Sequence, residues 1–466
     1  MNWMKKLICT VLALTLALGA MALAETDDLQ AQLDAANARI AELEAEVELY
    51  KPYYESQIVA EYGDGGIIWK EDAEAQFAEV QSYYSQYNMT ITPDDAAAIK
   101  ESILQGLVRQ AVLDEKAEAL GFNELDDEAK AKLEAEAAEN FETYIDTYKG
   151  YFASEESDEE TARQMTIEAM ANYGLTQEAL TEQLVESYTD EQLYNSITEG
   201  VAVTDEEIQA EYDKMVADAE SRFSGNDRAY NDARNSGETI AWNPEGYRAV
   251  KQVLIKFDDE QSAKYTELSN TLKTLKAEKD AVENPPEPTE APAEEAAEEA
   301  AEEAEPTPEP RSLDAIEADI AATTAEIEAL HTELLPQAQQ VIDAFESGTD
   351  FDSLIEQYNA DPGMTREPVA TNGYAVSADS TAWDPAFTEG AMSIAEVGQI
   401  SAPVYGSYGI HVIYYLADIT PGAVPFEEIR EEAESNALQD KLTDTYEAQV
   451  NAWVEEANPV YYADRF

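Results

Sequence analysis

Apolar side chains near the start of the chain recur at alternating steps of four and three residues, and acidic residues fill most positions between them. The members of this series are Leu29, Leu33, Ala36, Ile40, Leu43, Val47 and Tyr50. Such heptad spacing is typical of a coiled-coil seam, and it predicts a coiled-coil helix over residues 25–52. That helix could be a spacer, one strand of a homodimer or a helix that folds back on the rest of the protein, and the pattern does not decide among these.

Helical spacing and helix-start signals continue through residues 53–244. Thr92 precedes a proline and two aspartates, which gives an N-cap, a first-turn proline and acids at the positive end of a helix dipole. The stretch Thr204–Asp205–Glu206–Glu207 has the sequence of a capping box. We therefore predict a mostly helical domain here, with a short strand at Ile58–Tyr62.

Residues 245–420 combine strand and helix patterns. Alternation of apolar and polar residues predicts a strand at Val250–Phe257. Near the end of the region, two apolar runs flank Gly406 and Gly409, which predicts a hairpin with His411 in its second strand. After this domain, residues 421–466 contain one long predicted helix.

A large insertion, residues 258–335, separates the first strand of this domain from its first helix. Apolar residues follow heptad steps in both halves, from Tyr265 to Val282 and from Leu313 to Leu334, which predicts an antiparallel helical hairpin. The tether between the halves, residues 284–310, is rich in Pro, Glu, Ala and Thr and has almost no large apolar group. We expect it to be disordered, and we expect the domain formed by the rest of residues 245–420 to fold without the insertion.

The first 24 residues have the features of a secretory signal peptide. Lys5 and Lys6 precede a short apolar run, and Ala22–Leu23–Ala24 is a small-residue cleavage site. We predict cleavage after Ala24, with a retained membrane anchor as the alternative. The single cysteine, Cys9, lies inside this segment and is not preceded by a lipoprotein cleavage box, so the protein is not expected to be a lipoprotein.

Charge and composition exclude several classes of function. The formal net charge of −71 would repel nucleic-acid phosphates and anionic lipids. The chain has two histidines, His331 and His411, and no cysteine beyond Cys9. A zinc site or a cysteine nucleophile is therefore not expected, and neither a metal nor another cofactor is predicted.

The predicted hairpin resembles the last hairpin of the parvulin family of peptidyl-prolyl isomerases. The matching residues are GQISAPV at 398–404 and YGIHVI at 408–413, and weaker matches lie at 348–361 and 383–387. The helical segments, and the phrase VAVTDEEI at 201–208, resemble PrsA and SurA foldases. This resemblance implies an α+β fold: a mostly helical chaperone body, to which residues 421–466 return, and a small α/β domain with a four-stranded antiparallel sheet and helices.

The resemblance also implies a set of site residues. The hydrogen-bonded catalytic cluster would contain His411, Asp361, Tyr408 and Gln252, and the proline pocket would contain Trp383, Phe387 and Met392. Gln252 stands where the family has its first histidine, and a glutamine can form hydrogen bonds but cannot titrate. Four of these residues also have a structural explanation: a lone histidine such as His411, an Asp before Pro–Gly such as Asp361, and two aromatics four residues apart such as Trp383 and Phe387 are common in turns and cores.

The implied function is that of a secreted foldase, which would act on unfolded or partly folded exported polypeptides and on proline-containing peptides. Rotation about an X–Pro bond needs no covalent chemistry, because an enzyme has only to favour the twisted imide, which has lost its resonance. Two alternatives remain open. The protein could be a holdase whose isomerase domain is weak because of Gln252, or a structural coiled-coil protein of the envelope.

Overall fold

The computed structural model describes residues 26–152, 158–284 and 311–466. The predicted signal peptide and nearly all of the acidic tether lie outside the described residues. Within those three ranges, no helix has the length and apolar character needed to cross a membrane. The chain divides into two compact units: one contains residues up to Ala202 together with Asp440–Phe466, and the other contains Val203–Gln439.

Helices make up most of both units. The helices are α1 Thr26–Ser56, α2 Lys70–Gln86, α3 Pro93–Leu120, α4 Asp127–Phe152, α5 Glu159–Asn172, α6 Gln177–Thr198, α7 Asp205–Phe223, α8 Asp227–Ser236, α9 Asp259–Glu283, α10 Leu313–Glu346, α11 Phe351–Tyr358, α12 Val369–Asn372, α13 Pro385–Ser393 and α14 Phe426–Glu456. The strands are β1 Ile58–Tyr62, β2 Gly66–Trp69, β3 Trp242–Asn243, β4 Arg248–Lys256, β5 Tyr374–Val376, β6 Val404–Gly406, β7 Gly409–Asp418, β8 Gly422–Ala423 and β9 Val460–Tyr461.

The first unit is built from both ends of the described chain. Its small sheet has the strand order β2–β1–β9, so a C-terminal strand pairs with the first strand. The apolar stripe of α3, which includes the buried Leu104 and Val108, packs with Trp453 and Val454 of α14. The capping box at Thr92 forms, because Asp95 N donates to Thr92 Oγ1 and Thr92 N donates to the Asp95 carboxylate.

The second unit contains a four-stranded antiparallel sheet with the order β5–β4–β7–β6. Strands β4 and β7 pair along their whole length, from Arg248 opposite Asp418 to Lys256 opposite Gly409. Side chains alternate across a strand. Val253 and Ile255 therefore enter the core, whereas Gln252, Leu254 and Lys256 face the other side of the sheet. The helical body and this sheet confirm the predicted α+β fold class.

The turn between β6 and β7 depends on Gly409. Its φ angle is +141°, and a Cβ atom there would lie 2.1 Å from the carbonyl oxygen of Ile255. A residue with a side chain would therefore be strained and would also collide with β4. The tight hairpin predicted from the two glycines forms at this point.

The insertion forms two packed helices, α9 and α10, which run antiparallel. Lys264 pairs with Glu326, and Lys279 near the end of α9 pairs with Glu317 near the start of α10. The insertion was expected to end at residue 335, but α10 continues through Pro336 to Glu346. This helix is continuous because its last turns pack against the sheet core, so one helix belongs both to the insertion and to the domain.

Candidate active site

An open pocket of about 330 Å³ lies on the face of the sheet that Gln252 and His411 share. Six of the seven residues proposed from the sequence line it: Gln252, Asp361, Trp383, Phe387, Tyr408 and His411. Met392 does not line it and instead packs against the domain core. It lies five positions beyond Phe387 on α13, which places it about 140° away around the helix.

Three polar side chains form a directed hydrogen-bonded chain in the floor of the pocket. Gln252 Nε2 donates to Asp361 Oδ2 over 2.7 Å, and Gln252 Oε1 lies 2.6 Å from His411 Nδ1. A carboxylate only accepts, so the amide nitrogen faces Asp361 and the amide oxygen is left to accept from the imidazole. His411 is therefore the tautomer that carries its proton on Nδ1.

The Asp361 carboxylate is fixed by two further donors. Tyr374 OH donates to Oδ2 over 3.0 Å, and the backbone N–H of Gly363 donates to Oδ1 over 2.9 Å. Burial, and then the neighbouring carboxylate, raise the pKa of the Tyr374 phenol, so this hydroxyl remains a donor. Asn359 holds the segment in place, because its Oδ1 accepts from the backbone N–H groups of both Leu254 and Asp361.

His411 is buried, with 4% of its surface exposed. Burial lowers its pKa to about 4 and outweighs the opposite influence of Asp384 and Asp361. Among the residues that the structure describes, no hydrogen-bond partner reaches Nε2. At neutral pH His411 is thus a neutral imidazole, and its Nε2 is a hydrogen-bond acceptor without a partner among the described residues.

Aromatic rings form the apolar wall of the pocket. Phe387 is 3% exposed and meets His411 edge-on, with ring centroids 5.4 Å apart. Trp383 lies 5.9 Å from Phe387 and 4.4 Å from Tyr374, and its Nε1 donates to the Ala375 carbonyl. The wall is therefore held both by packing and by a backbone hydrogen bond.

Tyr408 has a different position from the one predicted. It is 61% exposed at the rim of the pocket, and in the described part of the chain no hydrogen bond joins its hydroxyl to the polar cluster. Tyr374 supplies the phenolic hydroxyl in that cluster instead. The reason is geometric, because Tyr408 lies in the two-residue turn between β6 and β7 and the turn points its side chain outward.

Two aspartates that the sequence analysis did not propose hold the walls together. Asp384 accepts from Ser407 N and Oγ and from Ala386 N, which joins the start of α13 to the hairpin turn. Asp227, at the start of α8, accepts from the backbone N–H groups of Thr381 and Ala382. Burial tends to raise the pKa of each aspartate, but hydrogen-bond donors outweigh it and the net shift is downward. For Asp227 the strongest of these donors is the Tyr247 hydroxyl.

Asp384 was predictable in principle, because Asp before Pro is a common N-cap. Asp227 had no usable signal for this role, because the wall residues that donate to it, Thr381 and Ala382, lie 154 and 155 residues further along the chain. In the described ranges, no cluster of three or more His, Cys, Asp or Glu side chains is arranged to hold a metal ion.

Comparison with known proteins assigns the same region to a family. Residues 316–417 match the family model described as Rotamase, PPIC-type PPIASE domain. The foldase protein PrsA of Clostridium perfringens is 28% identical over 131 residues, which is 28% of this chain and 38% of that protein. The PrsA foldase of Halalkalibacterium halodurans is 30% identical over 118 residues, or 25% and 33% of the two chains. The chain thus spans less than two fifths of the length of these curated relatives.

Solved structures of similar proteins include PrsA from Bacillus subtilis, at 15% identity, with 86% of this chain and 92% of that chain covered and a TM-score of 0.19. PrsA from Streptococcus pneumoniae is 12% identical, with 84% and 91% covered and a TM-score of 0.24. At these TM-scores no conclusion about fold or function follows from the similarity. The family match and the PrsA relatives confirm the resemblance found in the hairpin: residues 316–417 match a PPIC-type, or parvulin, peptidyl-prolyl isomerase domain, and part of the chain is similar to PrsA foldases.

Proposed function

We propose that the protein is a foldase that catalyses cis–trans isomerisation of X–Pro bonds and also binds unfolded polypeptides. The observation that carries the proposal is the pocket itself. Within one PPIC-type domain it combines an aromatic wall, formed by Trp383 and Phe387, with the chain Asp361–Gln252–His411.

The pocket suits catalysis without covalent bonds or proton transfer. The barrier to rotation of a peptide bond is about 18–20 kcal/mol and reflects the amide resonance. The rings of Phe387 and Trp383 would hold the proline ring away from water, where the less polar twisted imide is favoured relative to the planar one. The imidazole of His411, buried and uncharged at neutral pH, supports this reading.

Gln252 does not interrupt the chain of hydrogen bonds. It donates to Asp361 and accepts from His411, which is one donor and one acceptor, as a neutral histidine would supply. We therefore propose that isomerase activity survives at this site, and we favour an active isomerase over a holdase that has lost catalysis. The catalytic roles of Gln252, Asp361, His411 and the rim residue Tyr408 are part of this proposal.

Chaperone binding is proposed for the first unit on a separate observation. Aromatic side chains of α4, and the tyrosine that follows α5, form a row with neighbouring ring centroids 6.2–6.4 Å apart: Tyr144, Tyr148, Tyr151, Phe152 and Tyr173. Tyr151 and Tyr173 are more than 80% exposed. Exposed rings of this kind can bind apolar segments of an unfolded chain, and the negative charge of the protein would favour basic clients.

The N-terminal sequence supports export of the protein, so we propose that its clients are exported polypeptides and that it works outside the cytoplasm. The heptad series of α1 supports a homodimer, which remains part of the proposal. Domain roles are proposed in the same way, with residues 53–244 and 421–466 as the chaperone part and 245–420 as the isomerase part.

A refolding experiment separates an isomerase from a holdase. The substrate is a small protein whose slow refolding phase is limited by one X–Pro bond, and the foldase is added at about one-twentieth of its concentration. An isomerase turns over and speeds the slow phase, whereas a holdase only suppresses aggregation and needs near-equal amounts. We expect acceleration by the intact protein, and an unchanged slow phase would contradict the proposal.

Matched variants sharpen this test. Phe387→Leu keeps an apolar side chain in the wall but removes the ring, and because the position is buried the smaller side chain should cost some stability. It should lose most of the acceleration and keep the suppression of aggregation. The control, Val397→Ala, trims an exposed apolar residue of the same unit and should behave as the original protein.

A further inference from the structure

The other histidine of the chain, His331, has no part in the proposed chemistry, yet it is almost as buried as His411. It lies on α10, within the insertion, and is 5% exposed. Its Nδ1 is 3.1 Å from the carbonyl oxygen of Ile327, and its Nε2 is 3.0 Å from that of Gly406. A neutral imidazole carries one N–H, and we assign it to Nε2, where it donates to the Gly406 carbonyl.

Aromatic rings surround His331 on three sides. Phe257 from the end of β4 has its ring centroid 5.1 Å away, Tyr265 of α9 is at 5.8 Å, and Tyr405 of β6 is at 5.3 Å. The last two meet the imidazole edge-on. A buried polar group with its hydrogen bond made and its ring packed is held in one position, and here that position joins the insertion to the β6–β7 hairpin.

Gly406, the residue that His331 contacts, lies directly against the catalytic candidate His411. A Cβ atom at Gly406 would lie 2.3 Å from His411 Nε2, so the backbone of Gly406 covers the unpartnered nitrogen of the site. Any movement of this glycine changes the surroundings of Nε2. The hairpin turn that follows also carries Tyr408 at the rim of the pocket.

Three contacts fix this turn to the rest of the unit. Asp384 accepts from Ser407, the backbone N–H of Phe257 donates to the Tyr408 carbonyl over 3.0 Å, and His331 holds Gly406. The first two come from the wall and the sheet of the domain. The third is supplied by the insertion.

We propose that His331 is a positioning residue of the isomerase site: through its hydrogen bond to the Gly406 carbonyl, the inserted hairpin sets the place of the β6–β7 turn over His411. The inference rests on the proposed function for its kinetic consequence. It also limits the expectation that the whole insertion is dispensable. Replacing residues 259–334 would remove both Tyr265 and His331, so only the part of the helical hairpin that lies beyond these two residues should be dispensable.

The test uses three variants of the full chain. His331→Phe keeps a ring inside the aromatic surroundings and removes the donor to Gly406. His331→Gln replaces Nε2–H by an amide N–H at a similar reach. Thr332→Val is the matched control, because it lies next to His331 on α10, is exposed and bonds only within its helix.

Because the chain contains only two histidines, imidazole ¹⁵N NMR reports each ring separately. In the unmodified protein we expect His411 to give one set of signals, with the proton on Nδ1. In His331→Phe the His411 signals should shift and broaden or double, and kcat/KM for a proline peptide should fall about tenfold, since small displacements of a site are costly. His331→Gln should restore a single His411 species, and Thr332→Val should match the original protein in both measurements.

A folded His331→Phe variant whose His411 signals and kcat/KM equal those of the original protein would overturn the proposal. If His331→Phe does not fold, His331→Gln decides: displaced His411 signals in that folded variant would show that an N–H at this reach does not position the turn, and would also overturn it. If the original protein shows no isomerase activity, the proposed function fails, while the NMR comparison still decides whether His331 positions the turn.

Discussion

Replacing Gly406 by alanine should displace His411 and remove most of the isomerase activity. The new Cβ would lie 2.3 Å from His411 Nε2 and 2.7 Å from His411 Cδ2. Both distances are shorter than a van der Waals contact. His411 is buried between this glycine and the ring of Phe387, so it can yield only by breaking its hydrogen bond to Gln252. Overpacking of this kind costs about 1–3 kcal/mol. We expect a loss of that size in urea unfolding, and at least a tenfold fall in kcat/KM.

A double-mutant cycle identifies the cause. In the background of His411→Ala the imidazole is absent, so Gly406→Ala should cost much less stability there than in the original protein. Gly150→Ala on α4 is the control, because a Cβ at that position meets nothing within 4 Å. Equal costs of Gly406→Ala in both backgrounds would mean that His411 does not lie against Gly406.

Acidification should destabilise the protein through His411, over a window set by its shifted pKa. The folded-state pKa of about 4 lies below the ordinary value of 6.5, so the unfolded chain takes up the proton first. Stability from this group is therefore complete above pH 6.5, declines as the pH falls from 6.5 towards 4, and is lost below that. A shift of one pKa unit corresponds to 1.36 kcal/mol, so the total effect is about 3 kcal/mol.

The many carboxylates also titrate below pH 5, so the comparison must isolate the histidine. His411→Asn keeps an N–H that can donate to Gln252 Oε1 and cannot titrate. Urea unfolding at intervals from pH 7.5 to 4 should show the original protein losing about 3 kcal/mol more than this variant. Parallel pH profiles would contradict the assignment of His411 as a neutral, buried imidazole.

The sequence predicted site residues best where one local motif contains several of them. The hairpin motif and the matches at 348–361 and 383–387 led to His411, Asp361 and Phe387, and the predicted strand at 250–257 led to Gln252. The structure brings these four residues together around one pocket. Heptad spacing also predicted the two helices of the insertion, because an apolar seam is a local property of each helix.

The sequence failed where a contact joins distant segments or depends on the direction of one side chain. Tyr374 and Asp227 hold the site through hydrogen bonds that no spacing pattern encodes, and so does Asp384 in its bonds with Ser407. Met392 lies near motif residues in the sequence, but its helix face directs it into the core. The hairpin turn places Tyr408 at the rim of the pocket and not in the polar cluster. The role proposed for His331 follows only from the packing of the insertion against the hairpin.

The central claim is that the pocket beside His411 accelerates X–Pro rotation. Exchange NMR on a short Ala–Pro peptide measures this directly, because unaided exchange takes tens to hundreds of seconds and the protein can be added at about one-hundredth of the peptide concentration. The account predicts fast exchange with the original protein, equal or faster exchange with Gln252→His, and near-background exchange with Phe387→Leu. Background exchange with the folded original protein, or full acceleration by Phe387→Leu, would contradict it.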